Sequence, residues 1–461
     1  MSRCENQHLF NKGGLLAIVL AVFIFGCDFT IFAAILPVLS REFSLDVTDT
    51  QWIFNGYALT IGVLIITGGR LADLYGRKRV LLIGFSLFIF FSILGGFSGS
   101  VWGLIVCRAL MGIGVALSWP ALLGMLYSII PRKNAGIAGG ILAGVGSLGN
   151  AMGPLIGAAI TDFGSWRWVM WVNVPFSLFV MVLLWRYIVK EVYCEATFTI
   201  HYINVFILSF SLFCLLLGLD LAVDLGFNHV FILGLFSAFI VSLYGFRRLD
   251  FNLDNNALIP HYITKNKQFM LICLLAALVS TQFFSLLLYL PQFFSQQWHY
   301  SAIQSSVGIL PIILTCVLFA FIGGVLLGYI GRLWVMRVSI VVILLGVGLL
   351  SRISASSDKE VLFIGMMLFG AGLGLFNPSI TTQAMTLVNP ESMSLAGGIL
   401  YMFRIAGGAI GLAVNTSIIA SSASLLQGIQ FAFLFNLFLS VLCLILMMGF
   451  IHSKGTATIV N

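Results

Sequence analysis

A chain of 461 residues that is 60% hydrophobic and only 8% charged falls far short of the roughly 25% charged residues of a soluble domain. That composition excludes a water-soluble enzyme or binding module and leaves an integral membrane protein. The net charge of +7 would fit a nucleic-acid partner, but the basic residues gather in loops on one side of the predicted spans, which excludes that partner too.

Apolar runs near the ~20 residues that cross a bilayer fall at 15–39, 52–72, 80–98, 101–125, 135–160, 168–188, 203–219, 230–246, 269–292, 305–327, 333–350, 361–382, 396–420 and 430–451. The seventh and eighth are the shortest. Ahead of the first, Cys4, Glu5 and His8 precede a run too long for a cleavable signal, so it is expected to stay as an anchor. With both termini cytoplasmic, Arg3, Lys12, Arg70, Arg77, Lys78, Arg79, Arg132, Lys133, Arg186, Lys190, Arg247, Arg248, Lys265, Lys267, Arg332, Arg337 and Lys454 lie inside. Only Arg41, Arg167, Arg352 and Lys359 lie outside. An odd count would invert the second half and spoil this positive-inside pattern, so the count is even. The longest polar connection, about 247–268, leaves no room for a soluble domain.

Within the first span, Asp28 is the only acidic residue well inside any predicted run. The fourth span carries Arg108, whose charge costs about 2.5–3.5 kcal/mol at mid-membrane on insertion scales and so requires a partner or a watery cavity. Counting depth along each helix, Asp28 lies about 20 Å from the inner end and Arg108 about 7 residues from the outer end. One polar cavity could hold both; direct contact does not follow from depth alone. Asp28 is the candidate for proton coupling, with Arg108 as its modulator. In the fifth span, Gly136, Gly140 and Gly144, then Gly149, Gly153 and Gly157, recur every four residues and predict a smooth face for close backbone approach. Six of the eight cysteines fall inside spans and act as small hydrophobes; no cysteine or histidine spacing fits a metal.

The chain also repeats itself. Ala138-Gly139-Gly140-Ile141-Leu142 returns as Ala396-Gly397-Gly398-Ile399-Leu400, and Gly112, Gly114 and Pro120 return as Gly370, Gly372 and Pro378, all 258 residues on. Gly69, Leu71, Gly76 and Arg77 return as Gly324, Leu326, Gly331 and Arg332, 255 on. The expected fold is therefore all-α: two six-helix bundles, residues 1–196 and 251–461, with two linker helices within 197–250. Transporters are commonly built from such repeats, with a central site between them.

The loop Gly69-Arg70-Leu71-Ala72-Asp73-Leu74-Tyr75-Gly76-Arg77-Lys78 resembles the signature loop of the major facilitator superfamily. Gly149-x-x-x-Gly153-Pro154-x-x-Gly157 resembles the motif of its exporters, with Ala158 at the usual final glycine. Asp28-Phe29-Thr30-Ile31, Gln51-Trp52, Trp166-Arg167-Trp168 with Asn173, and Tyr289-Leu290-Pro291-Gln292 resemble the fourteen-helix drug:proton antiporters. The resemblance implies a conformational latch at Gly69, Asp73, Gly76, Arg77 and Lys78, with Asp73 meeting the basic cluster or a helix N-terminus. In the second copy Gly328 replaces Asp73, so the latch is asymmetric. It further implies a proton-coupled exporter of drug-like or amphipathic molecules by alternating access in the cytoplasmic membrane. Its energy source is the proton gradient, with no cofactor, no metal and no nucleic acid. Its partners are lipid, protons and a small-molecule substrate; a monomer is expected, with a periplasmic adaptor only in a Gram-negative envelope. The substrate pocket is placed at Asn55, Tyr57, Gln282, Tyr289, Asn377, Gln383 and Arg404. The alternative substrate is one physiological metabolite, such as a siderophore or lipid precursor. A membrane-embedded enzyme needs paired polar catalysts, and the six histidines are scattered and unpaired with acids.

Overall fold

The computed structural model describes residues 12–44, 47–188, 201–253, 257–353 and 358–452. Arg3, Lys190 and Lys454 of the loop-charge pattern, the N-terminal Cys4, Glu5 and His8, and the expected boundary at residue 196 lie outside the described residues. Among those described, all regular structure is helical, because in lipid each backbone polar group must be satisfied within its own segment.

Helix α1 spans Lys12–Phe43, α2 Val47–Tyr75, α3 Arg77–Gly96, α4 Val101–Ile129, α5 Ala135–Phe163 and α6 Arg167–Tyr187. Helices α7 (Tyr202–Leu225) and α8 (Val230–Phe251) form the inserted pair. The second bundle follows with α9 (His261–Lys265), α10 (Lys267–Gln297), α11 (Ala302–Gly308), α12 (Leu310–Tyr329), α13 (Arg332–Leu350), α14 (Lys359–Thr386), α15 (Met393–Ala420) and α16 (Leu425–His452). Fourteen of these are long and apolar enough to cross a membrane; α9 and α11, of 5 and 7 residues, are not.

Three spans differ from the sequence reading. The run at 305–327 is interrupted, since Ser301 and Gln304 close a capping box that starts α11 early. Pro311, which has no N–H to donate, then fits the first turn of a new helix at α12. The seventh and eighth spans are longer than their apolar cores, at 24 and 22 residues. Asp220 therefore lies inside α7 rather than at its end, and its carboxylate accepts from Asn55 Nδ2 of α2 at 3.0 and 3.1 Å. Asp250, near the end of α8, accepts from Asn204 Nδ2 and from the Leu258 and Ile259 amides, which ties the linker pair to the start of the second bundle.

The repeat survives as packing. The pairs α1·α5, α2·α4, α3·α4, α3·α6 and α1·α6 reappear as α10·α15, α12·α14, α13·α14, α13·α16 and α10·α16. Between bundles, α2 packs on α15 and α5 on α12, again a symmetric exchange. Both Gly76 and Gly331 hold positive φ, +100° and +84°, where they end one helix and begin the next. That backbone conformation is open to glycine without steric cost. Helix α7 lies along α2 and α15, while only 11% of the α8 span is buried, so α8 is the outermost element of the described fold.

The two glycine series of α5 do not share a face. From Gly144 to Gly149 the step is five residues, which turns the helix by about 140° from the preceding series. A Cβ on Gly136 or Gly140 would strike α12 at Gly324. One on Gly149, Gly153 or Gly157 would strike the α1 backbone between Phe23 and Ile31. The first series thus joins the bundles, and the second clamps α1. Gly324→Leu is expected to force α5 and α12 apart, since even a Cβ there would sit 2.6 Å from Gly140 Cα. Ser147 Oγ and Cys316 Sγ lie 3.8 Å apart across the same seam. In a Ser147→Cys background, oxidative cross-linking to Cys316 should be efficient in the parent and largely lost in Gly324→Leu. Undiminished cross-linking would show that the seam does not depend on this glycine contact.

Candidate functional site

Asp28 and Arg108 meet directly. Arg108 Nη1 donates to Asp28 Oδ2 at 2.7 Å, with both side chains wholly shielded from solvent. The other carboxylate oxygen accepts from Asn173 Nδ2 of α6 at 2.7 Å. The guanidinium lies between two rings, 4.2 Å from the Phe32 centroid and 3.8 Å from that of Tyr57. The two charges are thus paired and the guanidinium is stacked as well, which offsets the cost of removing them from water. Asn173, Phe32 and the ring of Tyr57 are parts of this site that depth counting did not assign to it. A buried amide on a span beside an unpaired acid is the sequence signal that could have found Asn173.

The glycine clamp on α1 has a counterpart. Gly407 and Gly411, 258 residues after Gly149 and Gly153, meet α10 at Ala277 and Thr281, where the first pair meets Phe23 and Cys27. The same superposition carries Asp28 onto Gln282, four residues short of the 258 offset. Gln282 is equally buried, and its Oε1 accepts from Ser440 of α16 at 2.8 Å. One bundle thus holds a carboxylate where the other holds a neutral amide.

At the far end of α2, Asp73 reaches across the bundles. Its oxygens accept from the amides of Ser394 (3.2 Å) and Leu395 (2.7 Å), in the first turn of α15, where the helix dipole favours an anion. Arg77 Nη2 lies 3.3 Å from the same carboxylate. Arg77 also donates to Ser394 Oγ at 3.0 Å, to Gly124 O at 3.2 Å, to Ser128 Oγ and to Pro390 O. Gly69 supplies the room, since a Cβ there would meet Ser394 O at 2.5 Å. Lys78 turns the other way and donates to Trp185 O in the last turn of α6 and to Ile188 O just past its end. At the corresponding place on α12, a Cβ on Gly328 would meet nothing within 4 Å. Tyr127–Thr382 and Arg70–Ala257 O add further contacts at this end, so the bundles are pinned together here.

Between the bundles lies a cavity of about 140 Å³ lined from α1, α2, α4, α5, α14 and α15. Phe25 and Phe29, the neighbours of Asp28 on α1, line it, as do Tyr57, Trp119, Asn150, Asn377, Thr381, Tyr401 and Arg404. Of the seven residues placed in the pocket from sequence, Tyr57, Asn377 and Arg404 stand here. The others are engaged elsewhere or away from it: Asn55 with Asp220, Gln282 with Ser440, Tyr289 with Thr416, and Gln383 buried in α14. A polar residue in an apolar span either faces a cavity or pairs with a neighbour, and spacing does not separate the two. Among the described residues no cluster of metal-ligating side chains occurs.

A sequence model described as Major Facilitator Superfamily matches residues 18–316 and 272–458. The tetracenomycin C resistance and export protein of Streptomyces glaucescens is 27% identical over 407 residues, 88% of this chain and 76% of that protein. Multidrug resistance protein 3 of Bacillus subtilis is 27% identical over 364 residues, 79% of this chain and 71% of that one. The crystal structure of the human organic anion transporter TETRAN aligns over 96% of this chain and all of that one with TM-score 0.71 and 14% identity; at that identity the likeness is one of fold alone.

Proposed function

Because this chain belongs to the Major Facilitator Superfamily, and is therefore a multi-pass membrane transporter rather than an enzyme, we propose that it is a proton-coupled antiporter exporting drug-like or amphipathic small molecules. It works by alternating access across the cytoplasmic membrane, with both termini inside and residues 1–196 and 251–461 as the moving halves. The export direction draws support from the names of the relatives and from the Gly149–Gly157 motif.

The observation that carries the coupling is the shared position of Tyr57. Its ring stacks on Arg108 and also lines the central cavity. A proton on Asp28 cancels the charge that holds Arg108, and the guanidinium then shifts against Tyr57 and so against the ligand. Helix α1 gives a second route, since Asp28 sits beside Phe29 of the cavity wall and α5 clamps the same stretch of backbone. With Gln282 in the counterpart position, this coupling uses one bundle only. Transport of an amphipathic dye in proteoliposomes under an imposed pH gradient tests the reading. Dye movement that follows the gradient's sign supports it, and movement indifferent to the gradient defeats antiport.

In this reading the Asp73 end is the cytoplasmic latch. Asp73→Ala removes the carboxylate that accepts from two backbone amides and pairs with Arg77, about 1–2 kcal/mol in all, which shifts the closed population roughly tenfold. Distances between spin labels on the cytoplasmic ends of α2 and α15 should lengthen and broaden. An unchanged distribution would remove Asp73 from the latch.

A further inference from the structure

We infer that the ligand of the central cavity is an amphipathic organic anion, its carboxylate, sulfonate or phosphate group held by Arg404. This rests on the transport reading for its purpose and on the charge inventory of the cavity for its evidence.

Arg404 lines the cavity from α15, half-buried, and donates to Thr381 Oγ1 at 3.2 Å. Among the described residues Arg404 makes no salt bridge, whereas the buried Arg108 and Arg77 are both paired with carboxylates. The carboxylates buried within the spans are already engaged. Asp28 is held by Arg108 and Asn173, Asp73 by the α15 N-terminus and Arg77, Asp220 by Asn55, and Asp250 by Asn204 and two amides. None of these acids lines the cavity. A cation that cannot lose its proton is therefore held between the bundles with no counter-charge, a costly arrangement in an apolar medium unless an anion comes to it.

A second donor points the same way. Trp119, on the cavity wall from α4, has a buried indole Nε1 with no hydrogen-bond partner among the described residues. Indole N–H and guanidinium are donors only, so both ask for a ligand rich in acceptors. The rest of the wall sets the amide and hydroxyl groups of Asn150, Asn377 and Thr381 among aromatic and apolar side chains, with Trp119 and Tyr401 rings 5.3 Å apart, and suits a flat hydrocarbon body that carries a polar end. A cationic ligand would meet Arg404 as a like charge and find no free carboxylate.

The test uses the full chain in phosphatidylcholine nanodiscs and calorimetric titration with three matched probes: naphthalene sulfonate, a naphthylmethyl-trimethylammonium cation and uncharged naphthylmethanol. The sulfonate should bind roughly tenfold or more tightly than either other probe. Arg404→Gln should erase that preference by weakening sulfonate binding roughly tenfold, far more than it changes naphthylmethanol binding, and Arg404→Lys should keep part of it, since a point charge replaces the fork. The inference is overturned if the sulfonate binds no better than the alcohol or the cation. It is equally overturned if Arg404→Gln leaves sulfonate affinity within about twofold. The wild-type ranking needs no variant and decides the matter should Arg404→Gln fail to fold. Gradient-driven uptake into proteoliposomes separates the two readings. Sulfonate-selective binding without gradient-driven movement defeats the exporter and leaves the ligand class standing. Gradient-driven movement of the cation, untouched by Arg404→Gln, defeats the ligand class and leaves the exporter.

Discussion

Asp28→Asn is expected to reduce pH-gradient-driven transport to the level of protein-free liposomes while the protein still folds and inserts. Asparagine nearly matches aspartate in shape and keeps an oxygen that can accept from Arg108, so that contact is weakened rather than removed, while Asn173 must turn its amide over to accept from the new NH2 in place of donating. The loss is that of a charge-assisted bond, about 2 kcal/mol. The rings of Phe32 and Tyr57 still flank the guanidinium and continue to stabilise it. A protein that passes through a protonated Asp28 in each cycle must tolerate this neutral arrangement in any case. What asparagine cannot do is exchange a proton. By linkage, a ligand that changes the affinity for the proton must be changed by it equally. Wild-type protein in weak buffer should therefore release protons when ligand binds, and Asp28→Asn should release none. Full gradient-driven transport by the variant, or unchanged proton release, would take Asp28 out of the mechanism.

Much of the architecture was legible because lipid imposes a length rule and a charge rule that operate along the chain, one residue after another. The even count of spans, the six-two-six division and the offset near 258 needed no tertiary information. Asp73 was legible to the level of its alternatives, a basic cluster or a helix N-terminus, and the structure supplies both. What depth along a helix does not give is rotation about it. Asp28 and Arg108 are 80 residues apart in sequence, and only the rotations of α1 and α4 decide whether they touch. Rotation is also why the glycines of α5 were read as one face. The five-residue step at Gly144–Gly149 was present in the sequence, and its turn of about 140° separates a bundle-to-bundle seam from the clamp on α1. The pocket was the least legible part. Gln282 and Arg404 are both polar residues in apolar spans, yet Ser440 takes up the first and the cavity receives the second. The length of α7 was hidden for a related reason: Asp220 reads as the end of an apolar run, and only Asn55 on a distant helix makes it admissible inside one.

Arg108→Leu should be the most destabilising single change in the membrane interior, because it strands a carboxylate rather than a cation. Asp28 would keep Asn173 as its donor and lose the guanidinium on its other oxygen. Removing one member of a buried pair costs about 3–5 kcal/mol, and the leucine recovers little of it. The double variant Asp28→Asn with Arg108→Leu carries no buried charge at the site. It should regain most of the lost stability and yet drive no transport. The rate at which the monodisperse protein is lost on heating in detergent, compared across the four variants of the cycle, measures the coupling between the two residues. Additive effects would mean that Asp28 and Arg108 act separately and that the contact between them carries no coupling. A strongly non-additive result, with transport absent from every variant lacking Asp28, would separate the two duties of the pair: Arg108 makes an ionised carboxylate tolerable between α1, α4 and α6, and Asp28 alone takes up and releases the proton.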